Sequence, residues 1–441
     1  MKNKLFVISV DALVREDIAY LETKPNFSRI MDGRAEVTGV QSVYPALTYP
    51  AHTTLITGCR PGRHGVLDNM PLRFGKDRKR QFYLHSKYIR EEDLFTAAKR
   101  AGCSTAAVYW PVTACHPDID HVLNEYFFYY PGEYPGETKK AEEIFSRLGA
   151  DEVSLQAVRE NMHRFPTGRG SGRLDTTVTF DNFLIGCTCS LIRNAQPDVL
   201  LVHACDVDTW RHYRGTFGSG MREALDQTDL RLGEIAESMK AAGTYENTNF
   251  VILSDHGHMP FDRQVRLNAL LIRGGFLDLA PDGSIYSWQA YSQSNGMSST
   301  VHLKDKADKK LYRDVYEYLQ SLVKEGCWGL EQVLTEEETR ALYGTYGPFA
   351  FMVESDGHTA FDDAFDGPFL YASGGKGRCS AHGYRPEKGP QPVFMAKGPA
   401  FLPGAVLQNA QLCDIAPTLA AVLGQTLPHA EGKCLKELLN N

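Results

Sequence analysis

Unbroken apolar runs, not alternating ones, mark the strand-like segments of this chain. LFVISV stops at Asp11, DVLLVHAC (198–205) leads into Asp206 and Asp208, and NFVILS (249–254) stops at Asp255. TAAVYW (105–110) and PVFMAKG (392–398) are two further runs of the same kind. Continuous apolar stretches of this length suit strands covered on both faces, as in a parallel sheet. Helical patterns lie between them at 91–102, 221–243 and 414–424, and the first two close on Gly102 and Gly243, a common helix stop. Strand alternating with helix predicts an α/β fold, a doubly wound and mostly parallel sheet flanked by helices. The cleft of such a sheet lies beyond the carboxyl ends of its strands. Three strands that each deliver an acid to that edge predict a metal site there.

Two stretches fit the sheet poorly. Residues 111–185 are rich in Tyr, Pro and Gly around EYFFYYPGEYPGE (125–137) and then turn charged and helical, while 270–375 mix a long helix, KKLYRDVYEYLQSLVKEG, with polar loops and short strands. Both are expected to be insertions in a single domain spanning 1–441, forming a cap or the walls of the cleft. With 441 residues the chain can bury a large core. Its net charge of −7 disfavours nucleic-acid polymers, and the one dense basic run, KDRKR (76–80), reads as a solvated loop or an anion contact. Ten scattered cysteines without a CxxC pair suggest reduced thiols in a cytoplasmic protein. The apolar run after the first lysines is too short for a signal peptide, and no stretch approaches the ~18 apolar residues of a membrane span.

Candidate chemistry sits where the pattern places it. In DVDTWRH, Asp208 and His212 are four residues apart and share one face of a helical turn, with Asp206 as a competing ligand. SDHGHM follows a strand directly, so Asp255 and His256 suit a metal-binding pair. Gly257 permits a sharp turn there, and His258 is an alternative ligand. CSAHGYRP offers His382 in a loop of small residues, and ESDGHTAF offers His358 as its rival. YPALTYPAHTTLITG (44–58) holds four threonines; prolines restrict the backbone around Thr48, and a helix starting after it would place Thr48 near a positive N-terminus. Thr53, Thr54 and Thr57 fall within that helix and read as packing or back-bonding hydroxyls.

Taken in order, VISVDAL, the stretch from Tyr44 to Asn69, YWPVT (109–113), DVDTWRHYRG, SDHGHM and SAHGYRP resemble the alkaline phosphatase superfamily, specifically its nucleotide pyrophosphatase/phosphodiesterase branch. The resemblance covers roughly 3–112, 195–275 and 378–425. It implies two zinc ions, one held by Asp11, Asp255, His256 and the nucleophile Thr48, the other by Asp208, His212 and His382. Manganese also suits such N/O donors. It further implies a phosphothreonine intermediate, with metal chemistry activating an otherwise poor alcohol nucleophile. Asn69, with the Thr48 or Tyr49 amide, would hold a non-bridging phosphate oxygen.

The frame Thr48-Tyr49-Pro50-Ala51-His52 lacks both the cysteine and the arginine of a sulfatase. No arginine adjoins Thr48, which favours monoanionic diesters over the dianionic monoesters of phosphomonoesterases. A phosphonoacetate hydrolase-like activity stays open through Lys76 and Lys79, as does a catalytically silent binding role. Tyr49, Trp110 and Trp210 are candidate walls for a base or other leaving group on a small nucleotide-like substrate, and the tyrosine-rich insertion is an alternative for a choline or lipid-like head group. The oligomeric state is not legible.

Overall fold

A computed structural model describes residues 3–72, 82–126, 138–165, 173–373 and 377–440, with backbone only for 173–179. The basic run KDRKR, including Lys76 and Lys79, and most of EYFFYYPGEYPGE lie outside the described residues.

An eight-stranded sheet organises the chain. Its spatial order is Val406–Leu407, Ala35–Val37, Phe394–Lys397, Thr248–Leu253, Lys4–Val10, Val199–Ala204, Thr105–Val108 and His121–Leu123. The five predicted strands are all present. Four of them pair in parallel with one another, the first strand lying between Thr248–Leu253 and Val199–Ala204. The fifth, Phe394–Lys397, runs antiparallel to both of its neighbours. Its apolar run reports burial on both faces, and direction leaves no mark on that pattern.

Side chains of a strand alternate between faces, and here both faces are covered. Phe6, Ile8 and Val10 join one apolar cluster with Leu200 and Val202. Leu5 and Val7 join the opposite one with Val199 and Leu201. The predicted helices appear as Leu94–Arg100, Ser219–Ala241 and Ile415–Val422. Gly102 and Gly243, just past the first two, are left-handed at φ of 68°.

The described part of 111–185 includes two helices packed with the sheet's flank. Ala141 and Phe145 of the Thr138–Arg147 helix, and Ala157 and Val158 of Glu152–Asn161, belong to the same apolar cluster as the sheet's flank. Their amphipathic spacing needs an apolar partner, and the sheet supplies it. The second stretch builds a separate cluster. Strands Ala290–Ser294, Ser298–Leu303, Phe351–Ser355 and Leu330–Thr335 form an antiparallel sheet in that order. The helix Lys309–Glu325 buries Leu311, Val315, Leu319 and Leu322 with it. No described helix is long and apolar enough to cross a membrane.

Register sets the site. Val10 lies level with Ala204, and Ser9 with Leu253. Asp11, Cys205 and Asp255 therefore leave three adjacent strands at one height. Asp11 donates its N–H to Ala204 O (2.9 Å), and Ala12 donates its N–H to Asp255 Oδ1 (3.1 Å).

Candidate metal centre

Thr48 is the first residue of the wholly buried helix Thr48–Thr57. Its Oγ1 lies 3.2 Å from His256 Nε2. The remaining threonines behave as helix residues: Thr53 and Thr57 donate to the carbonyls of Tyr49 and Thr53, at 2.8 Å each, and Thr54 meets His64 Nε2 at 3.1 Å.

Around Thr48 the strand-end residues converge. His256 Nε2 is 3.2 Å from Asp255 Oδ2 and 3.6 Å from Asp11 Oδ1. Beyond it, Asp208 Oδ2 is 3.5 Å from His212 Nε2, and Asp208 Oδ1 is 3.7 Å from His382 Nε2. The rings of His256 and His382 stack at 4.1 Å, so the two halves adjoin. Asp208 belongs to both donor groups, one with His212, His258 and His382, the other with Asp11 and His256.

The surroundings aim these donors inward. His212 Nδ1 donates to Ser380 O (2.8 Å), which leaves Nε2 facing the site with a lone pair. Asp11 Oδ1 and Asp255 Oδ2, both buried, have no hydrogen-bond partner. Burial, followed by the charges of Asp255 and Asp208, pushes the Asp11 carboxyl well above its usual range. Burial likewise raises Asp255 to about 7 and lowers His382 to about 3. Crowded, orphaned carboxylates beside neutral imidazoles are what a cation would satisfy. The donor set and these unpartnered oxygens fit a metal pair.

Position separates the rival ligands. Asp206 turns away to Arg231 Nη2 at 2.6 Å, and His358 is exposed at a bend and belongs to neither donor group. His258 stays close, with Nε2 2.7 Å from Asp208 Oδ1 and Nδ1 2.9 Å from Ser380 Oγ. Gly257 is not left-handed. A Cβ there would lie 2.4 Å from Pro390 O, so close approach, not turn geometry, demands glycine.

Two expectations need correction. The Tyr49 amide donates to Asn69 Oδ1 at 2.9 Å, so it orients Asn69 and does not itself face a substrate. The three aromatics are buried, Tyr49 and Trp110 at 1% exposure and Trp210 at 3%. Trp210 lies two residues from both Asp208 and His212, which turns it to the far side of their helix and into the flanking core. Trp110 meets the edge of His52 at 4.9 Å, and Tyr49 packs with Val66, Val112 and Phe82. None forms an open substrate wall.

Supporting residues were missed by pattern reading. His203 Nε2 lies 3.1 Å from Asp11 Oδ2, and His52 bonds Thr48 O (2.8 Å) and Ser9 Oγ (2.9 Å). The only signal was a histidine inside an apolar run, since the partners are distant in sequence.

The model of the type I phosphodiesterase / nucleotide pyrophosphatase family matches residues 5–346. The chain belongs to this family. Human ectonucleotide pyrophosphatase/phosphodiesterase family member 5 is 21% identical over 97% of this chain and 76% of its own length. The Xenopus laevis bis(5'-adenosyl)-triphosphatase enpp4 is 21% identical over 96% of this chain and 78% of its own. An uncharacterized pyrophosphatase/phosphodiesterase of Schizosaccharomyces pombe is 23% identical over 59% of this chain, which spans 45% of that protein; it spans 21% of human family member 1. Human family member 5 matches in structure with a TM-score of 0.68 at 21% identity, over 99% of this chain and all of its own. An inactive murine family member 5 in complex with AMP matches at 0.66 and 19% identity, over the full length of both chains. The phosphodiesterase-family fold is thus shared across the chain.

Proposed function

We propose that this chain is a two-zinc hydrolase that cleaves phosphodiester or pyrophosphate bonds in nucleotide-like substrates through a phosphothreonine on Thr48. One observation carries the reading. Thr48 Oγ1 opens a helix N-terminus and sits 3.2 Å from His256, among the orphaned oxygens of Asp11 and Asp255.

Asp11, Asp255, His256 and Thr48 would hold one ion, and Asp208, His212 and His382 the other. Zinc bound there supplies Lewis acidity, lowering the pKa of an alcohol or water and neutralising phosphate charge. His52 Nδ1 donates to Thr48 O and fixes the first turn of the helix, so the Thr48 hydroxyl is held at the centre. Thr48, its proton passed to solvent, attacks phosphorus in line, and the bond to the leaving oxygen breaks. Asn69, oriented by the Tyr49 amide, presents Nδ2 to a non-bridging oxygen as charge develops there. Water then cleaves the threonine ester and restores the hydroxyl.

The antiparallel sheet within 270–375 forms one wall of the cleft in this reading. Gln293 Nε2 donates to Asp68 Oδ2 (2.6 Å) beside Asn69, and Met297 N–H donates to His382 O (3.0 Å). The AMP complex of murine family member 5 and the triphosphatase name of the frog relative make a nucleotide diester or pyrophosphate the substrate class of choice. Ten unpaired cysteines keep a reducing, cytoplasmic setting as our reading of location.

Turnover of bis-p-nitrophenyl phosphate and p-nitrophenyl thymidine monophosphate, against p-nitrophenyl phosphate and phosphonoacetate, with and without added zinc, tests the proposal. The diesters are expected to be preferred, zinc to be required, and Thr48→Ala to abolish turnover. Full activity in Thr48→Ala would refute the nucleophile, and a preference for phosphonoacetate would refute the substrate class.

A further inference from the structure

Among the described residues, a third group of donors lies away from Thr48: Glu125, His203 and Cys205. All three are buried, Glu125 and His203 completely and Cys205 at 7% exposure. His203 and Cys205 are two apart at the end of the Val199–Ala204 strand, so they share a face. Glu125 reaches them from just beyond the His121–Leu123 strand.

The three donor atoms lie close enough together to share one ion, and the two sulfur contacts are also weak hydrogen bonds. His203 Nδ1 is 3.5 Å from Glu125 Oε1 and 3.7 Å from Cys205 Sγ, and Cys205 Sγ is 3.9 Å from Glu125 Oε1. An N–H···O bond would be about 2.7–3.2 Å, so the imidazole and carboxylate stand too far apart for one. Tetrahedral bonds of about 2.0 Å to nitrogen or oxygen and about 2.3 Å to sulfur place ligand atoms about 3.3–3.6 Å apart. The pairs His256–Asp11, His212–Asp208 and His382–Asp208 in the centre described above are spaced alike, at 3.6, 3.5 and 3.7 Å.

His203 bridges the two groups: its Nε2 lies 3.1 Å from Asp11 Oδ2, and its Nδ1 faces Glu125 and Cys205. Glu125 Oε2 is buried without a hydrogen-bond partner, and is available as a further donor. Cys205 is the N-cap of the nine-residue helix Asp206–Arg214, and burial raises its thiol well above the usual range, so a bound cation has to displace that proton. One carboxylate and one thiolate would balance a divalent cation, leaving no net charge in the interior.

We propose that Glu125, His203 and Cys205 form a third metal site that takes a divalent cation of the zinc class. The thiolate and imidazole select such an ion over magnesium or calcium. Binding releases the Cys205 thiol proton to solvent. The chain from ion through His203 to Asp11 then fixes the orientation of Asp11, so this ion is structural and His203 a positioning residue.

Cobalt substitution reads the site without reference to turnover, because a thiolate-to-cobalt charge-transfer band requires a cysteine ligand and the Thr48 centre has none. The full chain, stripped of metal and reloaded with Co²⁺, should show that band and about three ions per chain by elemental analysis. Cys205→Ser should lose the band and one ion, and Glu125→Gln should weaken retention of that ion on dialysis. Asp208→Ala combined with His212→Ala should keep the band, which separates this site from the proposed catalytic pair. Absence of the band in the wild-type chain, or its persistence in Cys205→Ser, would overturn the proposal. Circular dichroism of each variant confirms that a lost band is not lost folding.

Discussion

Asn69 and Glu354 show how single side chains act through placement. Asn69 Oδ1 is engaged by the Tyr49 amide, so its Nδ2 is the oriented donor. Asn69→Ala should lower kcat on a diester about 10²-fold or more, the usual loss of one oxyanion donor, with a smaller change in KM; steady-state kinetics of the two proteins checks it. Glu354 is fully buried, accepting from Tyr44 Oη (2.8 Å) and the Arg385 N–H (3.1 Å), with Lys388 Nζ at 3.3 Å. Burial raises its carboxyl to about 7 even so. A folded value above the unfolded one means stability is fully present below about 4.5 and is lost as pH rises through about 7. Glu354→Gln should flatten that part of the pH profile, so its melting temperature should gain on the wild type between pH 5 and pH 8. At this scale the sequence showed the donor types, but not that Trp210 points away from the site or that His203 supports it.

At the scale of elements, the proposed metal ligands depend on turns that are held from outside. The Asp255–His256 turn is tied by Ser42 Oγ donating to Asp255 O and Ser254 Oγ donating to Leu13 O, both at 2.5 Å. Gly257 then passes so close to Pro390 that a methyl group has no room. Gly257→Ala should displace both ligands, weakening zinc binding measured by calorimetry and lowering the melting temperature by several degrees. Gly377→Ala, where a Cβ meets nothing within 4 Å, should change neither. Strand runs and helix stops were legible because burial and chain termination act on neighbouring residues. The two- and three-residue strands Ala35–Val37, His121–Leu123 and Val406–Leu407 are too short to carry a period, and tertiary pairing alone makes them strands.

For the whole molecule, charge concentrated at one sheet edge should, on the proposed function, tie folding to metal. Asp11, Asp208 and Asp255 meet there with their histidines, and without cations the carboxylates repel. Chelation with 1,10-phenanthroline should therefore abolish diester turnover and lower the melting temperature, and added zinc should restore both. An ion at about 100 times its Kd contributes roughly 2.7 kcal/mol, a shift that scanning calorimetry resolves. The antiparallel sheet of 270–375 meets the site through Gln293 and Met297. Removing the Gln293 contact with Gln293→Ala should alter KM more than melting temperature, by loosening the loop that carries Asp68 and Asn69.

The sequence by itself determined the strand-and-helix alternation, the parallel centre of the sheet and the residues that end its strands, because apolar runs and terminal acids are local features. Residue spacing left Asp206 beside Asp208 and His358 beside His382, the family resemblance favoured Asp208 and His382, and the tertiary structure places those two together at the site. It also buried the three aromatics expected at a substrate wall. Facing depends on helix phase and strand register against distant partners, and neither is written in the spacing of nearby residues.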